Sequence, residues 1–176
     1  ERIEAQTGGG LRLRVAGEDL AFDRGLVTTS PALLARLAPG LPAEYLSRLL
    51  SLRSMGAVNL VLALKHRLSE QGVYWHNLVK SAGFPFLALV EHTNFVPAGH
   101  FGGSTIVYCG DYLDVSHEYF SLDKEALLER FAQVLPRFNP AFKPEWVRNS
   151  WLFRTKYAQP VPLLNHSQNI PAIRTP

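Results

Sequence analysis

The chain has 176 residues, 47% hydrophobic and 11% aromatic, enough apolar material for one large or two small globular domains with a buried core. This composition excludes disorder and a coiled coil, and no apolar run reaches the roughly 18 residues that cross a bilayer. The formal charge of +3 comes from 18 Lys and Arg against 15 Asp and Glu. These cations are scattered along the chain and form no stripe that would track phosphates, so no nucleic-acid partner is expected.

One cysteine, Cys109, can make neither an internal disulfide nor a thiolate metal cluster, which favours a reducing, cytoplasmic setting. The chain opens on Glu1 without a signal sequence and stops at Pro176 in an extended stretch, as expected of a piece of a longer protein.

Residues 1 to 30 read as a three-stranded meander. Gly8-Gly9-Gly10 forms a turn, Leu11, Leu13 and Val15 alternate with Arg12 and Arg14, and Ala16-Gly17-Glu18-Asp19 makes a second turn. Leu20 and Phe22 continue the apolar face, and Gly25-Leu26-Val27 starts the third strand. Ser30 before Pro31 is a helix start, because the hydroxyl accepts from an orphan N–H and the proline φ suits the first turn. Pro39-Gly40 ends that helix, and a second runs from about Pro42 to Leu52.

Met55 to Leu64 is apolar on both alternate sets, the pattern of a strand covered on both faces. Tyr74-Trp75 suggests another strand. Phe84 to Val90 predicts a buried strand continuing into Glu91-His92-Thr93-Asn94, and Ser104 to Tyr112 predicts a fourth. Ser121 is the expected cap of a helix with Leu127, Leu128, Phe131, Val134 and Leu135 on one stripe and Pro136 as its stop. After Pro144, Val147, Trp151, Phe153 and Tyr157 alternate with Arg148, Ser150, Arg154 and Lys156, giving a half-exposed strand. Prolines at 160, 162, 171 and 176 then predict an extended connector. Buried and half-buried strands with helices between them indicate an α+β fold with a mixed, mainly antiparallel sheet flanked by helices and preceded by a small β-meander.

Two runs are candidates for binding a ligand. Glu91, His92, Thr93 and Asn94 are four polar residues at the end of an apolar strand, where pockets form, and period-two geometry lets at most one pair of them face a given ligand. Trp151, Arg154, Tyr157, Gln159 and His166 intersperse rings with hydrogen-bonding groups, which suits a flat small-molecule substrate. In each case a purely structural role, a surfacing strand end or an edge strand with packing aromatics, weighs about equally. The six histidines lack the spacing that places two ligands on one helix face, so no metal site is expected. Cys109 reads as an inert buried thiol. No G-x-S-x-G, G-x-G-x-x-G or G-x-x-x-x-G-K-[ST] occurs, and no catalytic residue can be named.

The order of F-D-R-G-L-V-T-T-S-P at Phe22 to Pro31, M-G-A-V-N-L-V-L-A-L at 55 to 64, E-H-T-N-F at 91 to 95, V-Y-C-G-D-Y-L at 107 to 113 and W-L-F-R-T-K-Y-A-Q-P at 151 to 160 resembles FAD-dependent amine oxidases and protoporphyrinogen-oxidase-like flavoproteins. The resemblance covers nearly the whole chain. It implies a β-meander on the FAD-domain side at 1–30, a substrate-binding α+β domain at 31–160 and a connector at 161–176. By the same resemblance, Thr28, Thr29, Ser30 and Pro31 lie near FAD. Glu91, His92, Thr93, Asn94, Trp151, Tyr157 and Gln159 line the substrate cavity, where an amine or a C–H/C–N substrate passes a hydride to the flavin.

The chain departs from the family in lacking the glycine-rich FAD-binding turns, so the isolated piece is expected to bind no FAD usefully and to be inactive. Flavin-dependent sugar-nucleotide mutases and carotenoid desaturases share the implied frame. For the mutases, Arg148, Arg154 and Lys156 would be suited to an anionic substrate. A small-ligand binding module without redox chemistry is the alternative from another class.

Overall fold

The computed structural model describes residues 1–176, which form two compact units, Glu1–Ser54 with Pro160–Pro176 and Met55–Gln159. In the first unit, β1 (Arg2–Ala5), β2 (Leu11–Val15) and β3 (Glu18–Phe22) form the expected three-stranded antiparallel meander. Its strands differ from the expected ones. Ala16 and Gly17 both take positive φ, 52° and 88°, so β2 and β3 are joined by a two-residue hairpin and Glu18 pairs with Val15. Arg2–Ala5 supplies the remaining strand, and Gly25–Val27 pairs with nothing, leaving Leu26 exposed.

Helix α1 (Pro31–Leu37) begins as the sequence predicts, with the Ser30 hydroxyl accepting from the Leu33 N–H at 3.3 Å and Pro31 in the first turn. Helix α2 (Ala43–Ser51) buries Tyr45 and Leu49, one turn apart. Both helices sit in the same unit as the meander. The segment after Pro160 is not extended throughout. Its prolines flank residues 163–170 without interrupting them, and His166–Asn169 forms a one-turn helix, α4. The Tyr45 hydroxyl donates to the Ala172 carbonyl at 2.8 Å and ties this segment to α2.

The second unit is built on a five-stranded antiparallel sheet in the order β5 (Trp75–Asn77), β6 (Ala88–Glu91), β7 (Thr105–Leu113), β4 (Ser54–Leu64), β8 (Val147–Pro160). This is the α+β fold that the sequence predicts. β4 lies inside the sheet, and both of its faces are apolar for that reason. Val58, Leu60, Leu62 and Leu64 enter the main core, whereas Val61 and Ala63 join Ile106 on the opposite face.

Helix α3 (Lys124–Ala132) covers the main core with Leu127 and Phe131 from the expected stripe, and Phe131 meets Phe86 edge to face at 5.0 Å. Each fully buried side chain of this size stabilises the fold by about 1.5–3 kcal/mol. The α3 cap is Asp123, whose carboxylate accepts from the Ala126 N–H at 2.7 Å. Ser121 instead closes the preceding 3₁₀ turn by donating to the Glu118 carbonyl at 2.9 Å.

β6 is shorter than the apolar run that contains it. Pro85 has no N–H for a ladder, and Phe84 and Phe86 turn into the core as rings. The strand then stops at Glu91, because His92–Asn94 coil into a 3₁₀ turn.

Candidate functional site

Helix α3 packs on one face of the five-stranded sheet, and the registers fix what the other face carries. Trp75 pairs with Val90, Val90 with Tyr108 and Tyr108 with Val61, which gives one row across four strands. The next row runs Asn77, Ala88, Gly110, Asn59, and beyond it Tyr112 pairs with Ala57. On β8, Leu152 packs on the main core, so by strand alternation Trp151, Phe153, Thr155 and Tyr157 project to the same side as these rows.

One end of this face is closed by the 3₁₀ turn Ala98–Phe101, with Phe101 on Val61, Ala63 and Ile106. The rest is open. Trp75, Tyr112, Trp151, Phe153 and Tyr157 remain between 41% and 59% exposed on it. On β4 to β7, and on β8 from Trp151 to Gln159, none of the positions on this side holds a charged side chain.

Across this face Ala88 and Gly110 make a low row between the taller rings of Tyr108 and Tyr112. Asn59 stands opposite Gly110, and a methyl group added at Gly110 would lie 3.3 Å from the Asn59 Oδ1 atom. That oxygen is buried and accepts no hydrogen bond from the protein. Asn77 at the other end is satisfied, since its Oδ1 accepts from the Trp75 indole N–H at 2.8 Å. An uncharged aromatic surface with a few fixed amides can hold a flat apolar molecule and orient it through one or two hydrogen bonds.

No protein-family model and no curated protein matches the sequence. Solved structures do match. A protein from Exiguobacterium sp. 255-15 provisionally named a protoporphyrinogen oxidase superposes with a TM-score of 0.73 at 14% identity, over 96% of this chain and 36% of its own. Reduced UDP-galactopyranose mutase gives 0.64 at 16% identity, over 87% of this chain and 33% of the mutase. An oxidoreductase from Methanosarcina mazei gives 0.59 at 14%, over 89% of this chain and 36% of that protein. The chain shares its fold with these proteins. It spans about a third of the length of each, and at these identities the likeness is one of fold. The fold implied by the sequence resemblance is therefore the fold observed.

The four residues of the Glu91 run do not converge. Glu91 is fully buried, and its carboxylate accepts from the backbone N–H groups of Leu68 at 2.9 Å and Ser69 at 2.7 Å. It borders a cleft of about 390 Å³ that Ser69, His76 and Arg137 also line. His92 packs edge-on to Phe101 and Tyr108, beside the open face. Thr93 Oγ1 accepts from the Ile106 N–H at 3.2 Å. Asn94 accepts from Arg67 at 2.6 Å and donates to the Val73 carbonyl at 2.9 Å. Period-two alternation does not apply to residues 92–94, because they are in a 3₁₀ turn.

Trp151 and Tyr157 lie on the open face, and Gln159 follows at the same alternation. The aromatic set of β8 is thus its exposed side. Ser150 is buried, and the Arg154 guanidinium donates to the Tyr119 carbonyl at 2.8 Å and to that of Leu122. Arg154 is therefore committed to the helix-bearing side and shares no site with Trp151.

In the first unit, Thr28 and Thr29 are exposed, and the Thr29 hydroxyl donates to the Ser30 carbonyl at 3.4 Å. Ser30 and Pro31 serve as the start of α1. The Ser30 hydroxyl is committed to the Leu33 N–H, and the two threonines face solvent.

Cys109 is fully buried in the main core, and burial pushes its thiol far up, so it stays protonated and inert as expected. Trp75, Tyr112, Phe153 and Asn59 were not singled out from the sequence. The alternation of Tyr108, Gly110 and Tyr112, and a lone asparagine inside an apolar run, are the signals that point to them.

Proposed function

We propose that the chain is the substrate-binding portion of an FAD-dependent oxidoreductase acting on an amine or a C–H/C–N substrate whose reacting part is flat and uncharged. The observation that carries this reading is the open sheet face, with five exposed rings and no charge, in a fold shared with two proteins named as oxidoreductases. The face binds the substrate by ring-on-ring packing, excludes water from one side of it and sets its orientation through amides and hydroxyls. His92, Trp151, Tyr157 and Gln159 are the wall residues proposed from the original set. Because no G-x-G-x-x-G turn occurs in these residues, FAD would be held chiefly by parts of the protein outside this chain, with Thr28, Thr29, Ser30 and Pro31 near it.

A sugar-nucleotide mutase is the second reading, favoured by the fold shared with UDP-galactopyranose mutase. Of the three cations suited to a diphosphate, Arg154 is bonded to backbone carbonyls on the other side of the sheet, and this weighs for the first reading. The test is to express the full-length protein, record its flavin absorbance, follow anaerobic bleaching with benzylamine and a porphyrinogen, and separately incubate the dithionite-reduced protein with UDP-galactopyranose and look for its isomer. Bleaching by either of the first two supports the proposal. Absence of flavin, bleaching by neither, or isomerisation of the sugar nucleotide refutes it.

A further inference from the structure

The first unit holds a cavity of about 170 Å³ between the end of α2 and the segment after Pro160. Arg48 from the last turn of α2 and Arg53 just beyond it line one side, and His166 and Asn169 line the other. The Val161 N–H donates to the Arg53 carbonyl at 3.0 Å and holds the two chain segments together. No acidic residue lines the cavity. Glu44 stands one turn before Arg48 on α2, where an ordinary helix ion pair would form, yet the ion pairs of this chain engage neither arginine. One nitrogen of the Arg48 guanidinium instead donates to the carbonyls of Gln168 and Ile170, at 3.5 Å each, which leaves its other donors unused. The carbonyls at the end of α2 do not call for these cations either. The Ser51 hydroxyl donates to that of Arg48 at 2.8 Å, and the Leu52 N–H to that of Leu49 at 3.3 Å. Two guanidiniums beside one cavity with no counter-charge repel each other, and an anion between them removes that cost.

We propose that this cavity is an oxyanion site that takes a phosphate group, held by the guanidiniums of Arg48 and Arg53 with the His166 ring and the Asn169 amide beside them. A guanidinium presents five N–H donors in a fork that matches two oxygens of one phosphate, so this pair supplies ample donors for such a group. The volume sets the extent of the ligand. It is well above the roughly 10–15 Å³ that one water needs and below the roughly 300 Å³ at which pockets for whole organic ligands begin, so it fits an anionic group rather than the body of a large molecule. Leu52 and Val161 supply apolar wall, and the lower dielectric there strengthens the attraction between charges. The site lies within the first unit and does not depend on the open face of the five-stranded sheet.

The test titrates inorganic phosphate and phenyl phosphate into the full-length protein by calorimetry at low ionic strength, where an ion contact is least screened. Both are expected to bind saturably. Equal affinity assigns the site to the free ion, and tighter binding of phenyl phosphate assigns it to a phosphate carried on an organic group. Arg53→Gln, which leaves the backbone bond to Val161 in place, is expected to weaken both about tenfold, and Arg48→Gln to do the same. Arg36→Gln removes an equal charge from an exposed position of α1 outside the cavity and leaves both affinities within about twofold of the wild type. Absence of saturable binding by either probe overturns the proposal, as does binding unaffected by Arg53→Gln or an equal loss in Arg36→Gln. Melting of the ligand-free variants reads folding separately, and if Arg48→Gln melts early through its lost carbonyl bonds, Arg53→Gln decides. Neither probe reduces flavin, so failure here and failure of the bleaching test are told apart.

Discussion

The Glu91 carboxylate accepts a hydrogen bond from the backbone N–H of Ser69 at 2.7 Å, and its other oxygen accepts from the Leu68 N–H at 2.9 Å. A fully buried carboxylate is costly unless its oxygens are paired, and here both oxygens hold the loop after β4 against the end of β6. Replacing one oxygen with an NH₂ sets donor against donor. Glu91→Gln is therefore expected to lower stability by about 2–3 kcal/mol, read from the urea midpoint at constant slope. An unchanged midpoint would free Glu91 for a role in binding.

Asp111 carries a testable pH dependence. Burial raises its carboxyl above the ordinary carboxylate value, against the weaker opposing effects of a hydrogen bond from the Tyr112 N–H and the charges of Lys80 and His117. The folded state then holds its proton to higher pH than the unfolded state does. The contribution of this group to stability falls as pH rises from the ordinary carboxyl value through the raised one. Asp111→Asn is expected to raise the melting temperature at pH 7, with the gain shrinking as pH falls toward 4. A gain independent of pH would contradict the burial effect.

Gly56 sits where β4 passes under Phe120. A methyl group there would meet the Phe120 ring and lie 2.8 Å from the Thr155 carbonyl oxygen, a backbone atom of β8 that cannot move aside without breaking its ladder. Gly56→Ala is expected to cost about 1–3 kcal/mol in thermal or urea unfolding, although Ala is the better strand residue elsewhere.

The strongly periodic elements were legible in the sequence. The stripe of Leu127, Leu128 and Phe131 on α3, the doubly apolar β4 and the Ser30-Pro31 helix start are each set by local chemistry and are present, although α3 ends at Ala132, and Val134, Leu135 and the expected stop Pro136 belong to a following 3₁₀ turn. What could not be read was the choice between equivalent local options. Ser121 and Asp123 are both cap residues, and the position of Leu127 in the core selects Asp123. The alternation of β8 was visible, but not which set faces out. Leu152 and the Arg154 bonds to Tyr119 and Leu122 settle that, and they are long-range contacts. The open face itself is a property of five strands brought together from across the chain, so it has no continuous signature.

The most direct measurement is the anaerobic rate of flavin reduction by benzylamine or a porphyrinogen in the flavin-loaded full-length protein, compared between wild type and Trp151→Ala. Removing one ring from the open face should raise the half-saturating substrate concentration about tenfold while changing the limiting rate less, as expected for lost binding area. Unchanged saturation in the variant, or isomerisation of UDP-galactopyranose by the reduced protein without flavin reduction by either other compound, would contradict an uncharged aromatic wall as the substrate site.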